Sequence, residues 1–388
     1  MQPRLETALK ILGVLALLYL FFVSIQLMGD SFKTWTAFSR ALIEQSRNPF
    51  VGLFIGVLAT SIIQSSSTTT SMVVGFVASG VLDVSLAVPI IMGANIGTSV
   101  TNTLVSMGHI NRRAEFLRAM ACATVHDIFN LLAVAVLLPL ELITRTIFKV
   151  GFLEWAAGDL ARAFAGVGGL KLTSPLKMIT RPVTHFIRED IVGGLFDSET
   201  TVAIVGLILS AFMLLVALYF IVKLMRSMVL EKIEIFFDKY VGAHALIAMG
   251  LGLAITVMVQ SSSITTSMLV PMAGAGILSL RQAFPITLGA NVGTTITAIL
   301  ASLAAVSEEA QIAALTIAFV HLLFNLTGIL LFYPVVFIRE IPLTLAQRLA
   351  TACARRRWFA PAYVLTVFFI VPGLLVGLWK LVSDGASP

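Results

Sequence analysis

The tetrad Gln-Ser-Ser-Ser occurs twice in this chain, 196 residues apart, each time after a run of apolar residues. The first copy reads Gln64-Ser65-Ser66-Ser67-Thr68-Thr69-Thr70-Ser71-Met72, and the second reads Gln260-Ser261-Ser262-Ser263-Ile264-Thr265-Thr266-Ser267-Met268. Residues 64–101 and 260–297 agree without gaps at 20 of 38 positions. The matches include Gly80 with Gly276, Pro89 with Pro285, Gly93-Ala94-Asn95 with Gly289-Ala290-Asn291, Gly97-Thr98 with Gly293-Thr294, and Thr101 with Thr297. Further on, His126 and Asn130 are echoed by His321 and Asn325 at an offset of 195. Chance similarity of apolar sequence would favour shared Leu and Val, not shared polar, Gly and Pro positions. Two copies of one structural unit follow.

Composition decides the solvent of that unit. Of 388 residues 58% are hydrophobic and 12% charged, about half the charge of an ordinary soluble domain. A chain of this length cannot bury so much apolar surface in water. A soluble enzyme, a disordered chain and a nucleic-acid binder are excluded. Apolar stretches near 11–29, 50–63, 68–82, 86–106, 119–140, 201–222, 242–259, 264–280, 284–305, 311–338 and 361–382 describe an all-α polytopic membrane protein in a lipid bilayer. The expected divisions are a first repeat at 1–143, a linker at 144–200, a second repeat at 201–338, and a basic loop with an extra span at 339–388. The first stretch is too long for a signal-peptide core and is read as a retained span. Cys122 and Cys353 offer neither a disulfide framework nor metal spacing.

Two segments per repeat are unlike ordinary spans. Residues 50–63 supply about 21 Å of helix before the Gln-Ser-Ser-Ser, against about 30 Å of hydrocarbon. Dense polarity at that depth is tolerated only inside protein or beside water. Each repeat is therefore expected to hold a re-entrant hairpin with a polar tip, followed by a helix broken at Gly-Ala-Asn-x-Gly-Thr. Arg112, Arg113 and Arg118 precede the last span of the first repeat, whereas the matching loop carries Glu308 and Glu309. By the positive-inside rule those loops lie on opposite faces, so the repeats are expected to be inverted. The basic stretches 223–239 and 345–357 fall inside on the same count. Lys33, Arg40, Arg47 and the basic linker fall outside, against the rule.

Paired tips from inverted repeats would meet near the midplane, where such transporters hold their substrates. Neither tip contains Arg, Lys, Asp or Glu. Serines starting a helix leave backbone N–H groups free at a positive dipole end, which suits an anion. Asn95, Thr98 and Thr101, with Asn291, Thr294 and Thr297, offer uncharged oxygens, as would carbonyls freed by unwinding at Gly93, Gly97, Gly289 and Gly293. Such oxygens suit a monovalent cation better than Mg²⁺ or Ca²⁺, whose sites use carboxylates. A lone membrane Ser or Thr commonly just bonds across helices; a duplicated cluster of them points to a site. His126 and His321 read as structural hydrogen-bonding residues. Asp127 is an ionisable group within an apolar stretch, but Leu322 stands at its matching position. Asp83 reads as loop polarity.

The duplicated Gln-Ser-Ser-Ser, each followed about thirty residues later by Gly-Ala-Asn-x-Gly-Thr, resembles the type II sodium/phosphate cotransporter family. The resemblance covers roughly 50–140 and 240–340, and the short termini look like those of a bacterial member. It implies an inverted-repeat symporter that moves inorganic phosphate, preferably the divalent form, with sodium, in the inner cell membrane and without a cofactor. Phosphate would be held by Gln64, Ser65, Ser66, Ser67, Gln260, Ser261, Ser262 and Ser263. Sodium would be held by Gln64, Asn95, Thr98, Gln260, Ser261, Asn291, Thr294 and Thr297. Ala290 stands where animal members tend to have serine. Three other functions remain open on the residues: symport of another oxyanion such as sulfate, a passive channel, and an intramembrane serine hydrolase. The last would need a general base beside Ser66 or Ser262, and the tetrad lacks the Gly-x-Ser-x-Gly elbow.

Overall fold

Apolar runs separated by helix start and stop signals become helices throughout the computed structural model, which describes residues 3–166, 173–240, 244–305 and 307–385. Side chains are undescribed at 3–5, 7, 36–39, 165–166, 173–177, 229–240 and 383–385. Gly168, Gly169 and the side chains of Lys232 and Lys239 therefore lie outside the described residues. No strand occurs among the described residues.

The first half comprises α1 (Pro3–Thr34), α2 (Thr36–Ser46), α3 (Pro49–Ile63), α4 (Ser66–Ala78), α5 (Val84–Gly97), α6 (Val100–Met107) and α7 (Arg113–Phe148). The linker forms α8 (Phe152–Gly166), α9 (Thr173–His185) and a π-helical segment, Phe186–Val192. The second half comprises α10 (Glu199–Tyr240), α11 (Ala245–Val259), α12 (Ser262–Ala275), α13 (Leu280–Ser302) and α14 (Glu308–Phe332). The chain ends with α15 (Val336–Arg355), α16 (Phe359–Leu365), a π-helical turn at Thr366–Ile370, and α17 (Val371–Gly385). Seven helical segments among the described residues are long and apolar enough to cross a membrane, with α5–α6 and α16–α17 each counting as one.

The short helices have local causes. Asn48 caps α3 by accepting from the Phe50 N–H at 3.0 Å, with Pro49 at the first helical position. The fifteen residues of α3 extend about 22 Å. It stops at Gln64, which adopts left-handed φ 59°, and α11 stops at Gln260 with φ 58°. Ser65 and Ser261 then cap α4 and α12 through their hydroxyls, accepting from the backbone N–H groups of Thr68 and Ile264. Gly80 and Gly276, which close the two hairpins, share positive φ. Ser279 and Gln282 form a capping box on α13.

Two expectations are corrected. The helix after the second hairpin is not broken: α13 runs uninterrupted from Leu280 to Ser302 through Gly289 and Gly293. In the first half the interruption is confined to Thr98–Ser99, both still in right-handed helical conformation. The glycines serve close packing instead of unwinding. A Cβ on Gly93 would meet the Leu53 carbonyl of α3, and one on Gly289 the Met249 carbonyl of α11. A Cβ on Gly97 or Gly293 would lie 2.7 Å from the Cβ of Thr60 or Thr256. Each hairpin's first arm is thus laid against the helix that follows it. The expected basic loop near 339–357 is also replaced: it is helix α15, lying on α7 through Ala350 and Cys353 against Phe116, Met120 and Ala121.

The linker is anchored at both ends. Buried Glu141 accepts the Leu153 N–H at 2.7 Å and pairs with Arg145, which also reaches Glu154. Lys33 lines a polar cavity of about 330 Å³ with Asp30, Arg181 and Arg188. Cations that break the positive-inside count are in this case placed beside carboxylates.

Candidate functional site

The two hairpin tips meet. Gln64, Ser65, Ser66 and Ser67 line one cavity of about 260 Å³ together with Gln260, Ser261, Ser262 and Ser263. Leu215, Leu218, Tyr219 and Val222 of α10 close one side, with Ile63 and Thr68 completing the wall. Among the described residues no charged side chain lines it. Ser66, Ser67 and Ser262 are buried, and Gln64 is exposed toward the cavity side. The first-turn N–H groups of α4 and α12 that have no intrahelical partner belong to these same serines. Hydroxyls, N–H groups and two positive helix ends therefore converge without a formal positive charge.

Each glutamine is tied to the helix behind it in the same way. Thr101 donates to Gln64 Oε1 at 2.9 Å, and Thr297 donates to Gln260 Oε1 at 3.0 Å. The amide nitrogens turn back onto their own helices: Gln64 Nε2 donates to the Ser61 carbonyl, and Gln260 Nε2 to the Val257 carbonyl at 2.6 Å. Rotation of either glutamine is thereby fixed, and Thr101 holds Gln64 as Thr297 holds Gln260. The hairpins also touch the opposite half: Thr266 of α12 donates to Asn102 Oδ1 of α6 at 3.0 Å.

Asn95, Thr98, Asn291 and Thr294 do not line the cavity. All four are buried in the packed centre. Thr98 donates to the Ala94 carbonyl and Thr294 to the Ala290 carbonyl, both at 3.1 Å. The two asparagines are joined crosswise to the histidines of the opposite half. His126 Nε2 donates to Asn291 Oδ1, and His321 Nε2 donates to Asn95 Oδ1 at 3.1 Å. Asn291 in turn donates to Asn130 Oδ1 at 3.0 Å, and Asn130 donates to the Asn95 carbonyl at 2.8 Å. This buried lattice joins α5, α7, α13 and α14. Sequence offsets paired His126 with His321 as equivalents, but nothing in the sequence shows that each reaches across to the other half.

Two further features concern buried polar atoms, one of them at Asp127, which the sequence already marks as an ionisable group within an apolar stretch. Thr60, Ser61, Thr70 and Ser71 of the first hairpin carry buried hydroxyl oxygens without a protein partner, an uncommon circumstance. Asp127 is fully buried; Tyr363 of α16 donates to its Oδ2 at 3.2 Å, while Oδ1 has no partner. Among the described residues no cluster of His, Cys, Asp and Glu is arranged to hold a metal ion. No histidine lines the tip cavity: His126 and His321 are both engaged in the lattice, so neither serves Ser66 or Ser262 as a general base.

Comparison with known proteins agrees with this architecture. The family described as Na+/Pi-cotransporter matches residues 20–173 and 213–340. Sodium-dependent phosphate transport protein 2A of Rattus norvegicus is 36% identical across the whole of this chain and 72% of its own length. Sodium-dependent phosphate transport protein 2B of Homo sapiens is 33% identical over 98% of this chain and 67% of its own length. No solved structure matches the chain. Both hairpins and the helices behind them fall within the matched residues, and the chain belongs to the Na+/Pi-cotransporter family.

Proposed function

We propose that this chain is a sodium-coupled symporter of inorganic phosphate in the cell's inner membrane, working by alternating access around the cavity between its two hairpin tips. The observation that carries the proposal is the convergence of both Gln-Ser-Ser-Ser segments on one uncharged, hydroxyl-rich cavity. Phosphate would be held by Gln64, Ser65, Ser66 and Ser67 with Gln260, Ser261, Ser262 and Ser263. Hydroxyls and helix-end N–H groups donate to its oxygens, and the absence of a fixed cation leaves the anion's charge uncompensated. A co-bound sodium ion supplies that compensation, so the two bind in concert. Gln260, Ser261, Thr294 and Thr297 would form one cation position, with Asn291 behind it. Gln64, Asn95 and Thr98 would form its counterpart.

An inverted arrangement of the halves is supported by what lies at each hairpin's base. Ala78 and Ser79 of the first hairpin line a cavity with Ala304 and Ala305, just past the end of α13. Ala273 and Gly274 of the second accept from Arg118 and lie just before the start of α13. The 23 residues of α13 separate these two ends by about 35 Å. Hairpins entering from opposite ends of one span, and meeting at their tips, form the layout on which alternating access depends.

The test uses purified protein in liposomes. An inward sodium gradient should drive phosphate uptake several-fold above an equal potassium gradient, with arsenate competing and sulfate not. Equal uptake in the two salts would defeat the symport proposal, and equal competition by sulfate its phosphate specificity. Ser66→Ala and Ser262→Ala should each weaken phosphate uptake at least tenfold while the protein remains folded. Unchanged kinetics in both would remove the tips from the site.

A further inference from the structure

We infer that α15 carries a binding site for the phosphodiester headgroup of an anionic phospholipid, distinct from the cavity between the hairpin tips. A cleft of about 570 Å³ opens along this helix, lined by Arg348, Arg355 and Arg356 with Thr344, Gln347 and Thr351. Among the described residues no Asp or Glu lines it. Among the described residues none of the three guanidinium groups has a carboxylate partner, and Glu340, the acidic residue of the same helix, is taken by Arg281 at 3.0 Å. Arg356 rests over the Phe359 ring, 5.8 Å from its centroid, which holds its head at the cleft mouth.

The positive-inside rule accounts for arginines on this face of the membrane, but not for their convergence on one cleft beside an apolar stripe. The helix buries one side and exposes the other. Leu343, Ala346, Ala350 and Cys353 are buried against the protein. On the exposed side Phe337, Ile341 and Leu345, four residues apart, present apolar side chains along the N-terminal half. The same exposed side continues toward the C-terminal end of the helix as polar and basic, through positions 344, 347, 348, 351 and 355. The buried face packs on Phe116 and Met120, within eight residues of the start of the α7 span, so α15 lies at the membrane boundary. Exposed Trp358 follows directly, as is usual for residues at headgroup level. Acyl chains would cover Phe337, Ile341 and Leu345 while the headgroup enters the arginine cleft. A soluble phosphate would leave that stripe unexplained. Paired donor forks suit phosphate oxygens, and basic pockets at this depth attract anionic lipid.

The test is lipid retention by the full-length protein in detergent, measured by native mass spectrometry with dioleoylphosphatidylglycerol, dioleoylphosphatidylcholine and inorganic phosphate as probes. The protein should retain phosphatidylglycerol about tenfold or more over phosphatidylcholine. The triple variant Arg348→Gln/Arg355→Gln/Arg356→Gln should lose that preference, the corresponding Lys variants should keep most of it, and Arg113→Gln, on the same face but outside the cleft, should leave it unchanged. Equal retention by the protein and the triple variant would overturn the site. An equal loss in Arg113→Gln would reduce it to diffuse surface charge. Displacement of phosphatidylglycerol by millimolar inorganic phosphate would assign the cleft to a soluble anion and overturn the lipid proposal.

Discussion

The crossed histidine–asparagine pairs make a quantitative demand on stability. His126 bonds Asn291, and His321 bonds Asn95, all four residues being at most 4% exposed. Truncating His126 to Ala removes one donor and leaves Asn291 Oδ1 buried without a partner. A neutral hydrogen bond contributes about 0.5–1.5 kcal/mol net, and an orphaned buried acceptor costs about 1–3 kcal/mol. His126→Ala and His321→Ala should therefore each cost about 1–3 kcal/mol beyond the loss of ring packing. In the double-mutant cycles His126→Ala/Asn291→Ala and His321→Ala/Asn95→Ala, the coupling should be about 0.5–2 kcal/mol, since hydrogen bonds between membrane helices typically couple at the lower end of that range. The assay is reversible unfolding in mixed micelles by titration with dodecyl sulfate. The unpaired cycles His126→Ala/Asn95→Ala and His321→Ala/Asn291→Ala should give less coupling. If the crossed pairs couple no more strongly than the uncrossed ones, the interlock between the halves is wrong.

Two further perturbations address the hairpins. Gly97→Ala and Gly293→Ala place a Cβ 2.7 Å from the Cβ of Thr60 and Thr256. Relief requires about 0.7 Å of helix separation, so each should cost about 1–3 kcal/mol in the same unfolding assay, whereas Gly250→Ala, with nothing near its added Cβ, should be tolerated. Gln64→Ile and Gln260→Ile put a β-branched residue at φ near 58–59° and should destabilise by about 1–2 kcal/mol, whereas Asn at either position keeps the turn but not the reach to Thr101 or Thr297. The Asn variants should fold normally and transport poorly; wild-type transport in both would discard the glutamine–threonine tie as a positioning element.

The fold was legible where the repeat and the short apolar runs coincided. Hairpin lengths, the stops at Gln64 and Gln260, and the caps at Ser65 and Ser261 all follow from local rules that each half states independently. Glycine carries two meanings in such a sequence. Gly-Ala-Asn-x-Gly-Thr is compatible with unwinding or with close approach, and only the position of α3 against α5 and of α11 against α13 decides for close approach. The crossed lattice was invisible because an internal repeat shows which residues are equivalent, not which half each one contacts. The surface helix α15 was hidden because its exposed side changes from apolar at Phe337, Ile341 and Leu345 to basic at Arg348 and Arg355, which interrupts any single amphipathic pattern. At the tips the chemistry was readable because the same uncharged donor set occurs twice at membrane depth. The burial of Asn95 and Asn291 behind that cavity depended on tertiary packing.

The central claim is that both serine triplets hold one phosphate between them. A cryo-electron microscopy map of the protein in sodium and phosphate, compared with one in sodium alone, tests it directly. Added density should appear between Ser65–Ser67 and Ser261–Ser263, within hydrogen-bonding distance of both tips, and should vanish in Ser66→Ala/Ser262→Ala. Density at another location, or contact with one tip only in a preparation that still transports, would contradict it.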